Sequence, residues 1–167
     1  MQVLAHPNPA LKQRADEVDP RADRQLVRLA KQMAKIMYAS HGVGLAATQL
    51  GVQKRIIVFD VGEEKQPVAL CNPVIVERSQ DTETDEEGCL SLPGLTVPVE
   101  RATSVICEGA DLKGERVRLE ADALLARVLQ HETDHLDGIL ILDRATPGER
   151  KAAVRRYMEA LEAESAG

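Results

Sequence analysis

The residues with the clearest chemical potential are Gln130-His131-Glu132-Thr133-Asp134-His135. Two side chains four apart on an α-helix are separated by ~40° in azimuth and ~6 Å along the axis, so His131 and His135 can close on one ion. His-Glu-x-x-His on a helix is a two-histidine metal signature, with the glutamate available as general base. Glu132 lies ~60° beyond His135 and Asp134 ~60° before His131, so both acids flank the metal face, and the longer reach of glutamate favours Glu132. A catalytic ion needs a third protein ligand and an open position. Cys89, in Glu86-Glu87-Gly88-Cys89-Leu90-Ser91-Leu92-Pro93-Gly94, offers a thiolate; a cysteine between Gly and Leu is otherwise a small buried hydrophobe. No histidine follows His135, so Glu149 and Glu159 compete with Cys89 for the third place.

These residues need elements to hold them. The histidine helix has Asp122 at its N-cap position, Leu124, Leu125, Val128, Leu129 and Leu136 on one side, and Gly138 as C′ residue. Both histidines share the apolar side, which predicts a dry, enclosed site. A long helix is predicted earlier, with Asp19 as N-cap, Pro20 at N1, apolar Leu26, Leu29, Met33, Ile36 and Met37, and Gly42 as terminator. A final helix opens on Thr146-Pro147-Gly148-Glu149, a capping box, and runs through Val154, Tyr157, Met158 and Leu161; it either packs on the core or docks a partner. Residues 55–60 and 68–76 read as strands, Pro73 requiring an edge or a bulge in the second. Residues 79–87 read as an acidic loop. The runs 97–99, 103–107 and 116–119 read as antiparallel hairpins punctuated by Gly109 and Gly114, with Cys71 and Cys107 as packing residues. Residues 1–18 are assigned a turn or two of helix over 10–15 and no chemistry, and His6 a surface position.

Gly42, Gly44 and Ala47 satisfy G-x-G-x-x-G/A, but the dinucleotide fingerprint needs a strand before it and a helix after it. Here a helix precedes, and Gly51 ends any helix within a few residues. The segment instead reads as a close approach of glycine backbone to another group. Gln49 lies among small apolar residues and must be satisfied if buried, either bracing the fold or facing a substrate carbonyl.

The bulk properties narrow the field. The 167 residues suit one domain, residues 1–167, large enough for a real core. A net charge of −6 argues against nonspecific nucleic-acid binding, and 2% aromatic content against base stacking. No basic-then-apolar leader and no apolar run of ~18 residues is present, so no membrane partner is expected. Three widely spaced cysteines suit a reducing compartment, and the expected location is cytoplasmic.

Together, Gly42-x-Gly44-Leu45-Ala46-Ala47-x-Gln49, Glu87-Gly88-Cys89-Leu90-Ser91 and Gln130-His131-Glu132-x-x-His135 resemble the three motifs of peptide deformylase, in order and spacing, and the resemblance runs through nearly the whole chain. It implies an α+β fold: antiparallel β-sheets surrounding a central helix that carries the HExxH motif, with a long helix in the N-terminal half and a C-terminal helix. It implies Cys89, His131 and His135 as metal ligands, Glu132 as general base, and Gln49 with the Leu90 N–H as oxyanion donors. The Val43-Gly44 backbone would be the strand-like partner of the peptide. The implied metal is Fe2+, with Zn2+, Ni2+ or Co2+ as alternatives, and the implied substrate is the N-formylmethionyl nascent peptide, with the ribosome as a further partner. Val43, Leu124 and Val128 are candidates for an aliphatic methionine pocket. Some members have a peptide-holding arginine where this chain has Thr96. Arg127, one turn before His131, is open to two roles: binding peptide carbonyls or pairing with an acid. Glu87 and Arg101 are expected to form a salt bridge that orients the Cys89 loop. The rival readings are a zincin-like peptidase using Glu149 or Glu159, and a ribosome-binding module with a structural metal.

Overall fold

Antiparallel pairing of seven strands, and one helix in contact with both resulting sheets, set up the site. The structure is a computed structural model and describes residues 1–166. Its larger sheet has the order β1 (Gly44–Ala46), β2 (Ile56–Phe59), β3 (Val68–Arg78), β6 (Ser104–Ala110) and β7 (Arg116–Asp122), antiparallel throughout. The smaller pairs β4 (Thr82–Cys89) with β5 (Leu92–Ala102). The helix α2 (Ala123–Leu136) buries Ala126, Leu129 and Leu136 against Ile57, Phe59, Leu70 and Cys107 of the larger sheet. On its other side Gln130 holds Ala102 of β5 at both backbone groups, its Oε1 accepting from the N–H (3.1 Å) and its Nε2 donating to the carbonyl (2.9 Å). Helix α1 (Leu26–Ala39) packs Met33 and Met37 with Leu45, Ile56 and Val58 of β1 and β2. The short α3 (Ile141–Arg144) and the long α4 (Pro147–Ala166) close a third core with Leu92, Val97 and Val99 of β5. This is the expected α+β architecture.

Several boundaries differ from the sequence reading. Helix α1 begins at Leu26, not beside Asp19, because Asp19 and Asp23 each accept a hydrogen bond from the N–H two residues on, at Arg21 and Gln25 (3.0 Å each). Such local bonds compete with helix and make 19–25 a run of turns. The helix ends at Ala39 because His41, rather than Gly42, takes the left-handed turn at φ 58°. The segment read as an acidic loop is β4. Six of its eight residues from Thr82 are exposed, so no apolar alternation marks it, and its partner β5 supplies the apolar residues. The helical turn expected over 10–15 is a 3-10 turn at Pro9–Lys12.

Other expectations hold. Pro73 falls in a register shift between Cys71 and Val74 of β3. Thr146 and Glu149 exchange side-chain to N–H bonds of 3.3 and 3.2 Å at the start of α4. Tyr157 is buried on the inner face of α4, whereas Met158, expected on that face, is 45% exposed. No helix among the described residues is long and apolar enough to cross a membrane.

Gly138 ends α2 at φ 74°, and a Cβ there would lie 2.5 Å from the Lys12 carbonyl oxygen. Backbone strain and backbone collision therefore add. Gly138→Ala is expected to cost ~2 kcal/mol or more, and thermal denaturation should show Tm lower by ~4–8 °C. An unchanged Tm would mean that the Lys12 segment yields freely.

Candidate metal centre

Cys89 ends β4 at a break in register with β5, and the break turns its Sγ toward α2. There it lies 3.3 Å from His135 Nε2, which is 3.2 Å from His131 Nε2, and the three donor atoms fall within 4.8 Å of one another. A tetrahedral ion with usual Zn–N and Zn–S bond lengths separates two imidazole nitrogens by ~3.3 Å and nitrogen from sulfur by ~3.5 Å, and both separations from His135 Nε2 match these. The charges agree. Burial pushes His135 well below the usual imidazole range, which leaves it neutral with a lone pair to give. Burial also opposes charge on His131, but Glu132, Cys89 and Glu87 beside it outweigh burial and draw the imidazole up to about 10. Glu149 and Glu159 are exposed on α4, and Glu149 is occupied in its cap.

His131 is aimed by Glu87, whose Oε1 lies 2.9 Å from His131 Nδ1 and leaves Nε2 facing the other donors. Arg101 grips both oxygens of Glu87, through Nη2 at 3.0 Å and Nε at 2.9 Å, and Arg127 Nη1 donates to Oε2 at 2.5 Å. Burial alone would raise the Glu87 carboxyl, but the bonds from His131 and Arg101 override it and hold the group at about 2. Arg101 also donates to Asp134 (2.6 Å), which accepts two bonds from Arg144 at 3.0 and 2.8 Å. The expected Glu87–Arg101 bridge is therefore one link of a longer chain, and Asp134 turns outward to the arginines while Glu132 turns to the cavity. Arg127 pairs with the acid, and its head also donates to the carbonyls of Val99 (3.0 Å) and Glu83 (2.8 Å), tying α2 to both strands of the smaller sheet.

Glu132 packs against Gly44, where a Cβ would come within 2.6 Å of its Oε2. This is the close approach for which a glycine is needed. Glu132 Oε1 is buried without a hydrogen-bond partner, and burial lifts the carboxyl to about 7. Gln49 is buried with its Oε1 accepting from the Ala46 N–H at 3.0 Å, which fixes the amide so that Nε2 points to Ser91 Oγ (3.2 Å) and Cys89 Sγ (3.6 Å). It thus both braces the fold and faces the Cys89 sulfur.

A cavity of about 650 Å³ opens onto Cys89, His131, Glu132 and Gln49. Val43, Gly44, Leu90, Leu124, Arg127 and Val128 contribute to its walls. Val128 is buried, but Val43 and Leu124 are 42% and 51% exposed, so the predicted enclosure holds for the floor and not the rim. Sequence reasoning gave no role to Ser91 or Gln130, although both lie inside quoted motifs. Arg144 had no signal: Asp143-Arg144 reads as ordinary surface until α3 folds back on Asp134. Cys71 and Cys107 are buried packing residues, and burial raises both thiols to about 11.

Arg101→Ala would leave Glu87 and Asp134 buried with one fewer cation each, a change that typically costs ~3–5 kcal/mol. Metal affinity should fall ~10–100-fold, as when other groups that orient a ligand are lost. Metal titration monitored by competition with a chelator checks this, and an unchanged affinity would detach the network from the ion.

The polypeptide deformylase family model matches residues 1–151. The peptide deformylase of Rhizobium meliloti is 42% identical over 167 residues, covering 98% of this chain and 95% of that protein, and that of Dictyoglomus thermophilum is 49% identical over 83% and 88%. Among solved structures, the peptide deformylase of Ehrlichia chaffeensis superposes with a TM-score of 0.90 at 32% identity over 98% of both chains. That of Synechococcus elongatus, in complex with actinonin, gives 0.87 at 40% identity over 94% and 85%. With the fold, the three motifs and the thiolate-imidazole cluster all in agreement, the chain belongs to the polypeptide deformylase family, metal-dependent hydrolases that remove the N-terminal formyl group from newly made polypeptides.

Proposed function

We propose that deformylation in this chain runs through Cys89, His131 and His135 as metal ligands, Glu132 as proton carrier, and Gln49 with the Leu90 N–H as oxyanion donors. The observation that carries this reading is the convergence of Cys89 Sγ and two imidazole Nε2 atoms beside the partnerless Oε1 of Glu132, at the floor of an open, largely apolar cavity. A metal held by these three residues would supply Lewis acidity, making water acidic enough to give up a proton near neutral pH. Glu132 takes that proton as the water oxygen attacks the formyl carbon. Charge then gathers on the formyl oxygen, where Gln49 Nε2 and the Leu90 N–H stabilise it; one such donor is typically worth ~2.7–4 kcal/mol. As the C–N bond breaks, Glu132 passes its proton to the leaving amine, and formate and a free N-terminus result.

The substrate is read as an N-formylmethionyl nascent chain. Its backbone lies along Val43-Gly44, where β1 forms the open edge of the larger sheet. Its methionine side chain enters beside Val43, Leu124 and Val128, with the Arg127 stem as a further wall. A pocket of this kind separates side chains differing by one methylene by only ~1–3 kcal/mol, so preference for methionine is graded. Ribosome contact falls to the exposed face of α4, and the reduced cysteines suit the cytoplasm.

Two imidazoles and a thiolate accept zinc, nickel, cobalt or ferrous iron. Kinship with the deformylases favours Fe2+ as the working ion. Iron-loaded protein prepared without oxygen should be the fast form and lose activity in air, nickel or cobalt should make it durable, and zinc should yield a folded, slow enzyme. Equal turnover of the zinc and iron forms, with the iron form stable in air, would remove iron from the proposal.

Glu132→Ala is expected to keep close to one equivalent of metal and lower kcat by ~10²–10⁴-fold. Formate release from a formyl-Met peptide, read beside metal analysis, separates the outcomes: loss of metal together with activity would make Glu132 a ligand.

A further inference from the structure

The two proposed oxyanion donors come from distant stretches of chain, Gln49 in the 3-10 turn Ala47–Leu50 after β1 and Leu90 in the turn between β4 and β5. Something must hold these turns in register to a fraction of an ångström. The Gln49 amide reaches across to Ser91 Oγ at 3.2 Å, but that bond is made by the very group that must face the substrate. A second tie joins the same turns through backbone alone. The N–H of Leu4 donates to the Gln49 carbonyl at 2.7 Å, and two residues on, the N–H of His6 donates to the Ser91 carbonyl at 2.8 Å. Residues 4–6 thus form a strap with one end on each oxyanion turn.

The strap is itself held. Tyr157 of α4 is 4% exposed, packs in the same core as Leu92, and donates its hydroxyl to the His6 carbonyl at 2.9 Å, with the His6 ring tilted against its own at 5.9 Å between centroids. At the other end the Leu4 side chain lies 3.5 Å from where a Cβ would stand on Gly51, the left-handed residue that ends the Gln49 turn. Apart from the local turn in which the Ala5 carbonyl accepts from the Asn8 N–H at 3.0 Å, these ties fall on Gln49, Gly51 and Ser91, each within two positions of a proposed oxyanion donor, and on Tyr157 of α4.

We propose that Leu4 and His6, anchored by Tyr157, are positioning residues for deformylation: the N-terminal strap sets the spacing between Gln49 and Leu90 and thereby stabilises the transition state rather than the bound substrate. This rests on the oxyanion roles proposed above for Gln49 and Leu90. It also gives the inner face of α4 a part in turnover, although the helix contributes nothing to the metal cluster or the cavity walls.

The test is a double-mutant cycle in metal-loaded, full-length protein with a formyl-Met peptide. Gln49→Ala alone should lower kcat ~10²-fold, the usual cost of an oxyanion donor. Leu4→Pro removes the N–H that Gln49 accepts; it should lower kcat ~10-fold with KM within twofold and metal content unchanged, the pattern of an interaction made in the transition state. Combined with Gln49→Ala, Leu4→Pro should cost less than twofold more, because its target is already gone. Tyr157→Phe keeps the ring and serves in the same cycle should Leu4→Pro not fold, with an expected ~3-fold loss of kcat. Full activity in whichever strap variant is folded, or losses that multiply fully on the Gln49→Ala background, would overturn the strap while leaving the oxyanion reading intact. An unchanged kcat in Gln49→Ala would overturn the oxyanion reading and the strap with it.

Discussion

The buried carboxylate of Glu87 is the interaction on which the metal centre depends. It is 6% exposed and takes bonds from His131, both arms of Arg101, and Arg127. An isolated carboxylate in that position would cost several kcal/mol in lost solvation. Surrounded by these donors it stays ionised and becomes a fixed point to which β4, β5 and α2 are all attached. Cys89 follows it by two residues on the strand, and His131 leans on it from the helix, so one anion brings a proposed ligand from each element into line.

Around that fixed point the molecule separates two tasks. The Cys89, His131 and His135 cluster is hydrogen-bonded outward, through Glu87, Arg101, Asp134 and Arg144 toward α3. In the cavity, Glu132 Oε1 has no partner, whereas Gln49 Nε2 is occupied, directed at Ser91 and Cys89 by its own carbonyl end. A carboxylate proposed to carry a proton gains from being unsatisfied in the resting protein, since its bond is then made in the transition state. The glycine at 44 serves the same end, because any larger residue would collide with the Glu132 carboxylate.

How much of this was legible in the amino-acid sequence depended on the range of the interaction. The helical spacing of His131 and His135, the αL stop at Gly138, the capping box at Thr146 and the bulge at Pro73 are consequences of local geometry, and each stands where residue type and spacing put it. The motifs also singled out Cys89 and Gln49. The acidic strand β4 was not legible as a strand, because six of its eight residues are exposed and so show no apolar alternation, and the start of α1 was obscured by aspartates that served turns as readily as caps.

The sequence by itself therefore determined the chemistry on offer: two imidazoles, a thiolate, a carboxylate and a buried amide, on elements of known type. Tertiary structure decided which of these meet. It brought Cys89 rather than Glu149 or Glu159 to the histidines, turned Glu132 inward and Asp134 outward, committed Arg127 to Glu87, and placed residues 4–6 between the turns that carry Gln49 and Ser91. The physical reason is that local bonds depend on spacing along the chain, whereas these contacts join segments from 33 to 151 residues apart. Only the packing of both sheets on α2 gives such pairs their distances.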